Sequence, residues 1–189
     1  CRKATAIYRA GRIVVLDDGQ ELSYATLVLA TGATPRRLPA VIGGDLQGVY
    51  TLRDKADADA LMADFQPGRR LLVIGGGYVG LETAAVARMR DLEVTVIELA
   101  DRILKRVAAA ATADLVRDLH RGHGVDILEG ISIVRLVGTE GRLTGAELMD
   151  GRTIAADLAV VGIGIAPNAG LAEASGLAVD DGILVDELS

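Results

Sequence analysis

One short run constrains this chain more than any other: Gly75-Gly76-Gly77-Tyr78-Val79-Gly80, set between an apolar stretch and a helical pattern. Residues 71–74 are wholly apolar and read as a buried strand. Residues 79–90 carry helical spacing, and Glu93-Val94-Thr95-Val96-Ile97-Glu98 reads as the next strand. The spacing therefore predicts a Rossmann-type strand–turn–helix–strand unit over residues 71–98. A turn this tight requires backbone approaches that only glycine permits.

Each glycine has a physical task in such a turn. Gly75 allows the sharp bend, Gly77 lets backbone approach a pyrophosphate, and Gly80 lets the helix pack close to the strand. Gly76 completes the bend, and Tyr78 and Val79 fall on its wall by position. Free N–H groups at the helix start then face an anion. Glu98 lies 18 residues after Gly80. A carboxylate there accepts bonds from adenosine ribose hydroxyls and repels a 2′-phosphate, which favours NAD(H) over its phosphorylated form. Arg102, Lys105 and Arg106 lie just beyond and soften that preference. The plainer alternatives are a glycine-rich turn without ligand and an exposed acid at a strand end.

The rest of the chain suits that unit. Of its 189 residues half are hydrophobic but only 3% aromatic, so the core is built from Ala, Val, Leu and Ile. That composition fits a parallel sheet covered on both faces. Net charge is −6, which argues against nucleic acid as a partner. No apolar run approaches the roughly 18 residues a membrane helix needs. The single cysteine excludes an intrachain disulfide and zinc spacing, and points to a reducing cytoplasm. The chain starts Cys1-Arg2-Lys3, without Met, and reads as a cut piece.

Around the unit, strands are expected at Ala4–Tyr8, 12–16 and Glu21–Ser23, with Asp17-Asp18-Gly19 as a hairpin turn. A fully apolar strand is expected at 27–30, ended by Gly32 and Pro35, and an irregular crossing at 33–50. Helices are expected at 54–64 and 108–120, with Leu61 and Phe65 on one face of the first. Later strands are expected at 125–128, 131–137, 143–148, 157–161 and 183–185, and a short helix near 171–174.

Three segments carry a family resemblance. They are Ala30-Thr31-Gly32-Ala33-Thr34-Pro35-Arg36, the stretch 75–87 reading GGGYVGLETAAVA, and the stretch 161–168 reading VGIGIAPN. In this order and spacing the chain resembles the FAD-dependent NAD(H)–ferredoxin reductases of bacterial oxygenase systems, the putidaredoxin- and rubredoxin-reductase type. The resemblance implies an α/β fold, with a Rossmann-like three-layer NAD-binding domain at 49–165. Residues 1–48 and 166–189 would be flanking pieces of an FAD-binding domain. It also implies hydride transfer from NADH to FAD, then electron transfer to a ferredoxin-type iron–sulfur protein. The cofactors carry that chemistry, and no catalytic side chain is implied.

By resemblance, Gly162-Ile163-Gly164 lies beside the nicotinamide, and Glu82 reaches its carboxamide end; alternatively these are a tight turn and an acid favouring the helix dipole. Arg53 would contact FAD or be a surface arginine, and Thr31 and Gly32 would approach FAD through their backbone. Arg36-Arg37, Arg69-Arg70 and Arg88/Arg90 would steer an acidic partner or simply be solvated. His120 and His123 sit near a helix end and receive no chemistry. Other readings are a related NADH oxidase, nitrite reductase subunit or disulfide reductase, and a non-catalytic NAD-binding module. No cysteine lies in the 49–165 region, which disfavours the thioredoxin-reductase arrangement.

Overall fold

The computed structural model describes residues 2–187. Cys1, expected to begin a strand, lies outside them. In chain order the elements are β1 (Ala4–Tyr8), β2 (Ile13–Leu16), β3 (Glu21–Ser23), β4 (Ala33–Pro35), a 3-10 turn (Ala40–Ile42), β5 (Val49–Tyr50), α1 (Lys55–Asp64), β6 (Arg70–Ile74) and α2 (Tyr78–Arg88). Then follow β7 (Glu93–Glu98), α3 (Ala110–Gly122), β8 (Val125–Glu129), β9 (Ile133–Thr139), β10 (Arg142–Leu148), β11 (Thr153–Ala155), β12 (Leu158–Val161), β13 (Ile165–Pro167) and α4 (Gly170–Ala174). They fall into two compact units. One holds Pro35–Gly164, and the other joins the residues up to Thr34 with those from Ile165 onward.

In the larger unit a five-stranded parallel sheet runs in the order β5-β12-β6-β7-β8. Alternation along each strand divides its side chains between two cores. Leu71, Val73, Val94, Val96, Val125, Ile127, Leu158 and Val160 share one core with Leu61 of α1, Leu81 and Ala84 of α2 and Ala113 of α3. Leu72, Ile74, Ile97, Ala159 and Val161 share the other with Leu136, Leu143, Ala146 and Leu148 of the antiparallel sheet β11-β10-β9. The unit is thus three layers: helices, parallel sheet, antiparallel sheet. Leu71, Leu72, Val73, Leu158 and Val160 are each under 2% exposed or close to it. Burial of side chains of this size stabilises by roughly 1.5–3 kcal/mol apiece.

Local signals set the element ends. Asp54 caps α1 through a capping box with Asp57, and Leu61 and Phe65 are buried beyond it as their spacing requires. The larger compact unit begins at Pro35, whereas the family resemblance places the start of the NAD-binding domain at 49. Leu38, Leu46 and Val49 pack onto the second core, so the supposed irregular crossing belongs to this unit.

In the smaller unit β1, β2 and β3 form an antiparallel sheet around the expected turn. β4 pairs with β13; both are short strands absent from the sequence expectations, as are β11 and β5, and the 33–50 stretch expected to be irregular thus contains two of them. Asn168 holds the preceding turn: its N–H donates to the Gly32 carbonyl (2.9 Å) and its Nδ2 to the Thr31 carbonyl (3.0 Å). Thr34 Oγ1 donates to Asn168 Oδ1 at 2.8 Å. The first and third resemblance segments are therefore tied to each other. Two expected strands are corrected. Residues 27–30 form none: no described strand pairs with them, and Val28 is 80% exposed. Residues 183–185 contribute only a single bridge, Val179 to Ile183. Apolar composition alone does not make a strand, because its N–H and C=O groups need a ladder partner.

One polar staple ties two strand starts together. Asp157, just before β12, accepts from the Arg70 N–H (2.9 Å), Nε (3.0 Å) and Nη2 (2.6 Å). These bonds, the side-chain ones first, hold the Asp157 carboxyl down at about 2. A depressed folded value contributes stability above the unfolded value of about 4 and loses it as pH falls toward 2. Asp157→Asn is expected to lower stability at neutral pH and to flatten the acid-side loss between those limits. Denaturant titrations at a series of pH values check this; an unchanged acid slope would remove Asp157 from the account.

Candidate functional site

The site is built at the carboxyl ends of β6, β7 and β12. Gly75 leaves β6 at φ +110°, a conformation L side chains rarely adopt. A Cβ there would lie 2.4 Å from the Gly162 carbonyl oxygen, because β12 ends against it. At Gly80 a Cβ would lie 2.1 Å from the Gly75 carbonyl oxygen and 3.0 Å from Val73 Cγ1, so α2 presses directly on β6. At Gly76 it would meet Ile103 Cγ2 at 2.6 Å. Gly77 differs. Its φ is −82°, which any residue adopts, and a Cβ would meet nothing within 4 Å. The fold accounts for Gly75, Gly76 and Gly80, and leaves Gly77 as a glycine facing open space.

That space is a cleft of about 830 Å³, within the usual range for small-molecule sites. It brings together Gly75, Gly76, Gly77, Tyr78, Glu98, Gly162, Ile163 and Gly164 from the sequence expectations. The loop after β7 adds Leu99, Ala100 and residues 104–107; Leu38 and residues 131–133 add further wall. Other expected residues lie off the lining. Gly80 is buried beneath the turn, Val79 is 43% exposed, and Glu82 points from the exposed side of α2. Arg53 is exposed and donates its N–H to Asp57. Thr31 and Gly32 belong to the smaller unit.

Electrostatics favour an anion beside Gly77. The first bond inside α2 runs from the Leu81 N–H to the Gly77 carbonyl, and no side chain caps the helix. The N–H groups of its first turn therefore have no acceptor within the helix, and they add to the positive end of its dipole. Lys105 and Arg106 line the same cleft, and Arg102 on this loop carries a buried Nη1 without a hydrogen-bond partner. Lys105 reaches Asp101 at 3.1 Å with both side chains exposed, a pairing worth little.

Glu98 has a structural role that its sequence position did not imply. One carboxylate oxygen accepts from the Gly76 N–H and the other from the Ala100 N–H, both at 2.7 Å. It holds the glycine turn and the following loop while remaining on the cleft wall. Its oxygens keep further lone pairs for a hydroxyl. Sequence reasoning missed Glu129, whose Oε1 accepts from the Ile103 N–H at 2.9 Å. No sequence signal marked it; the structure shows that Glu129 stands opposite Glu98 on the next parallel strand. Several basic residues considered for steering instead hold the fold. Arg69 donates to Asp64 (2.8 Å), Arg70 to Asp157, and Arg88 Nε to the His123 carbonyl (3.0 Å). Among the described residues no cluster of ligating side chains suits a metal ion, and no helix is long and apolar enough to cross a membrane.

A parallel sheet whose glycine turn opens onto an uncapped helix is the architecture of a dinucleotide-binding oxidoreductase. The chain matches the family described as pyridine nucleotide-disulphide oxidoreductase over residues 2–189, and it belongs to that family. It is 45% identical over 167 residues to a probable ferredoxin reductase, CtmF, of Castellaniella defragrans, covering 88% of this chain and 41% of that one. The ferredoxin reductase of the CYP199A2 system of Rhodopseudomonas palustris superposes with a TM-score of 0.94 at 38% identity, covering 98% of this chain and 46% of its own. The putidaredoxin reductase–putidaredoxin covalent complex gives 0.92 at 40% identity, covering 98% and 46%. The chain thus spans less than half the length of these relatives.

The glycines separate by experiment. Alanine in place of helical glycine normally stabilises by up to about 1 kcal/mol. Gly80→Ala is instead expected to destabilise by about 1–3 kcal/mol through overpacking, whereas Gly77→Ala stays within about 0.5 kcal/mol of wild type. Denaturant unfolding measures both; equal losses would mean that Gly77, too, is there for packing.

Proposed function

We propose that this chain is the NADH-binding part of a flavoprotein reductase that passes a hydride from NADH to FAD and then single electrons to a ferredoxin-type iron–sulfur protein. The observation that carries the reading is Gly77: a glycine required neither by its φ nor by any neighbour, facing a cleft beside an uncapped helix start. A diphosphate seated there takes the free N–H groups of α2, and a side chain at Gly77 would occupy its place. Glu98 then stands at the adenosine ribose, and Gly162-Ile163-Gly164 walls the nicotinamide end, where small residues let two rings approach. Tyr78 and Val79 border the turn, and Glu82 and Arg53 act at the nicotinamide and the flavin on the strength of the family resemblance.

On this reading Pro35–Gly164 is the NAD-binding domain, and the smaller unit is part of an FAD-binding domain. In the smaller unit Thr31 and Gly32 are exposed, and Gly32 takes φ +69° in a turn held by Asn168. Bare main chain in a fixed turn fits close approach to a flavin. FAD, when bound, supplies the two-electron to one-electron step between NADH and the iron–sulfur acceptor. The named relatives are ferredoxin and putidaredoxin reductases, which supports the acceptor class. The setting proposed is the cytoplasm, consistent with a chain that has one cysteine.

Calorimetric titration of the intact protein with NADH tests the reading. Wild type is expected to bind. Gly77→Val is expected to weaken binding at least about 100-fold, equivalent to about 2.7 kcal/mol, with its melting temperature little changed. Undiminished affinity in that variant, or no binding by wild type, would defeat the assignment.

A further inference from the structure

Two acids close neighbouring strands at one level of the sheet. Glu98 ends β7, Glu129 ends β8, and the ladder pairs them in register. Glu98 reaches the cleft; Glu129 is not part of its lining. Among the described residues the hydrogen bonds of the Glu129 carboxylate go instead to the structure behind the wall. Its Oε1 accepts from the Ile103 N–H at 2.9 Å, and Arg117 Nη1 donates to Oε1 and Oε2 at 3.3 and 3.2 Å. Arg117 Nη2 in turn donates to Asp114 at 2.6 Å. The pair is largely shielded, with Arg117 19% and Glu129 15% exposed, so its geometry is held better than that of a surface ion pair.

What Glu129 holds matters to the glycine turn. Ile103 is fully buried and fills the space a side chain at Gly76 would need. The next residue, Leu104, donates its N–H to the Gly76 carbonyl at 2.9 Å. Leu104 has φ +54°, a left-handed conformation that a non-glycine residue adopts only where surrounding contacts impose it. A trans peptide points its C=O and its following N–H in opposite directions. The grip on the Gly76 carbonyl therefore fixes the direction of the Gly77 N–H. An unbroken set of contacts runs from Arg117 through Glu129, Ile103 and Leu104 to the Gly76–Gly77 peptide.

We infer that Glu129 is a positioning residue for the dinucleotide. Acting through Ile103, it fixes the loop after β7 and so sets the Gly77 N–H before ligand arrives. The inference rests on the reading of the cleft as the NADH site. Preorganisation of this kind lowers the cost of binding without touching the ligand, and it acts on affinity rather than on hydride transfer.

The test uses the intact flavoprotein, with NADH-dependent ferricyanide reduction for KM and kcat and with ADP-ribose as a competitive inhibitor. Glu129→Ala is expected to raise the KM for NADH and the Ki for ADP-ribose by a common factor of about ten, with kcat within about twofold of wild type. Glu129→Gln, whose amide oxygen still accepts from the Ile103 N–H, is expected to restore most of both. Should Glu129→Ala fail to fold, Arg117→Met leaves the acceptor unpinned and is expected to raise KM about threefold at constant kcat. A purely structural role would lower melting temperature and kcat and leave KM and Ki at wild-type values; that outcome overturns the inference, as does a Glu129→Gln protein no better than Glu129→Ala. If wild type binds neither NADH nor ADP-ribose, the reading of the cleft falls first and the inference with it.

Discussion

The structure turns on one close approach, where β6, β12 and the start of α2 meet without side chains between them. Cβ atoms at Gly75 and Gly80 would fall 2.4 and 2.1 Å from main-chain oxygens of their neighbours. At distances that short any side chain forces packed backbone to shift, which is costly on both sides. The approach brings the α2 N-terminus down onto the end of the sheet. It leaves the strand ends open on the far side, which is where open α/β sheets place ligands. A larger side chain at Gly75 or Gly80 would push α2 outward and dissolve the cleft along with the packing.

The two-faced sheet extends that constraint to both outer layers. Leu71 and Val73 point to the helices while Leu72 and Ile74 point to β9–β11. A one-residue slip in β6 would exchange the two sets and strand both cores. The register that seats α2 against β6 is therefore the same register that seats the antiparallel sheet. Residues 131–133, which lead into β9, form cleft wall for that reason. The glycine turn, the helical layer and the far wall are held by one pattern of alternation.

The unit at 71–98 was legible because its signals are local and agree: apolar strand, glycine turn, helical spacing, second strand. Its elements fall within one or two residues of where spacing put them, and Glu93–Glu98 falls where expected. The 27–30 run reads as strand just as strongly and is not one, since pairing is a non-local property that composition does not carry. β4, β5, β11 and β13 went unseen because strands of two or three residues have almost no period to detect; β3 is as short and was found through its hairpin turn. Eight of the residues named for the cleft line it, and those inferred from resemblance to act at a flavin lie elsewhere. Glu129 was invisible for a different reason. An acid at a strand end usually faces water, and only the three-dimensional register shows that this one faces a main-chain N–H.

Two carboxylates beside an expected diphosphate site pose an electrostatic question. At several ångströms, unscreened negative charges would oppose binding by an amount comparable to a good hydrogen bond. The structure answers with the direction in which each acid is turned. Glu98 accepts from two main-chain N–H groups and Glu129 from one more together with Arg117, so both charges are met by donors of the turn and its loop. Hydrogen bonds to an ionised acceptor are about twice as strong as neutral ones, which suits a carboxylate to clamping a tight loop. The N–H groups at the start of α2, and Lys105 and Arg106 on the same loop, then remain on the cleft side. Acids hold the backbone in place while main-chain donors and cations border the cleft. The same negative charges that would repel a phosphate in solution thereby hold the loop that borders the proposed diphosphate site.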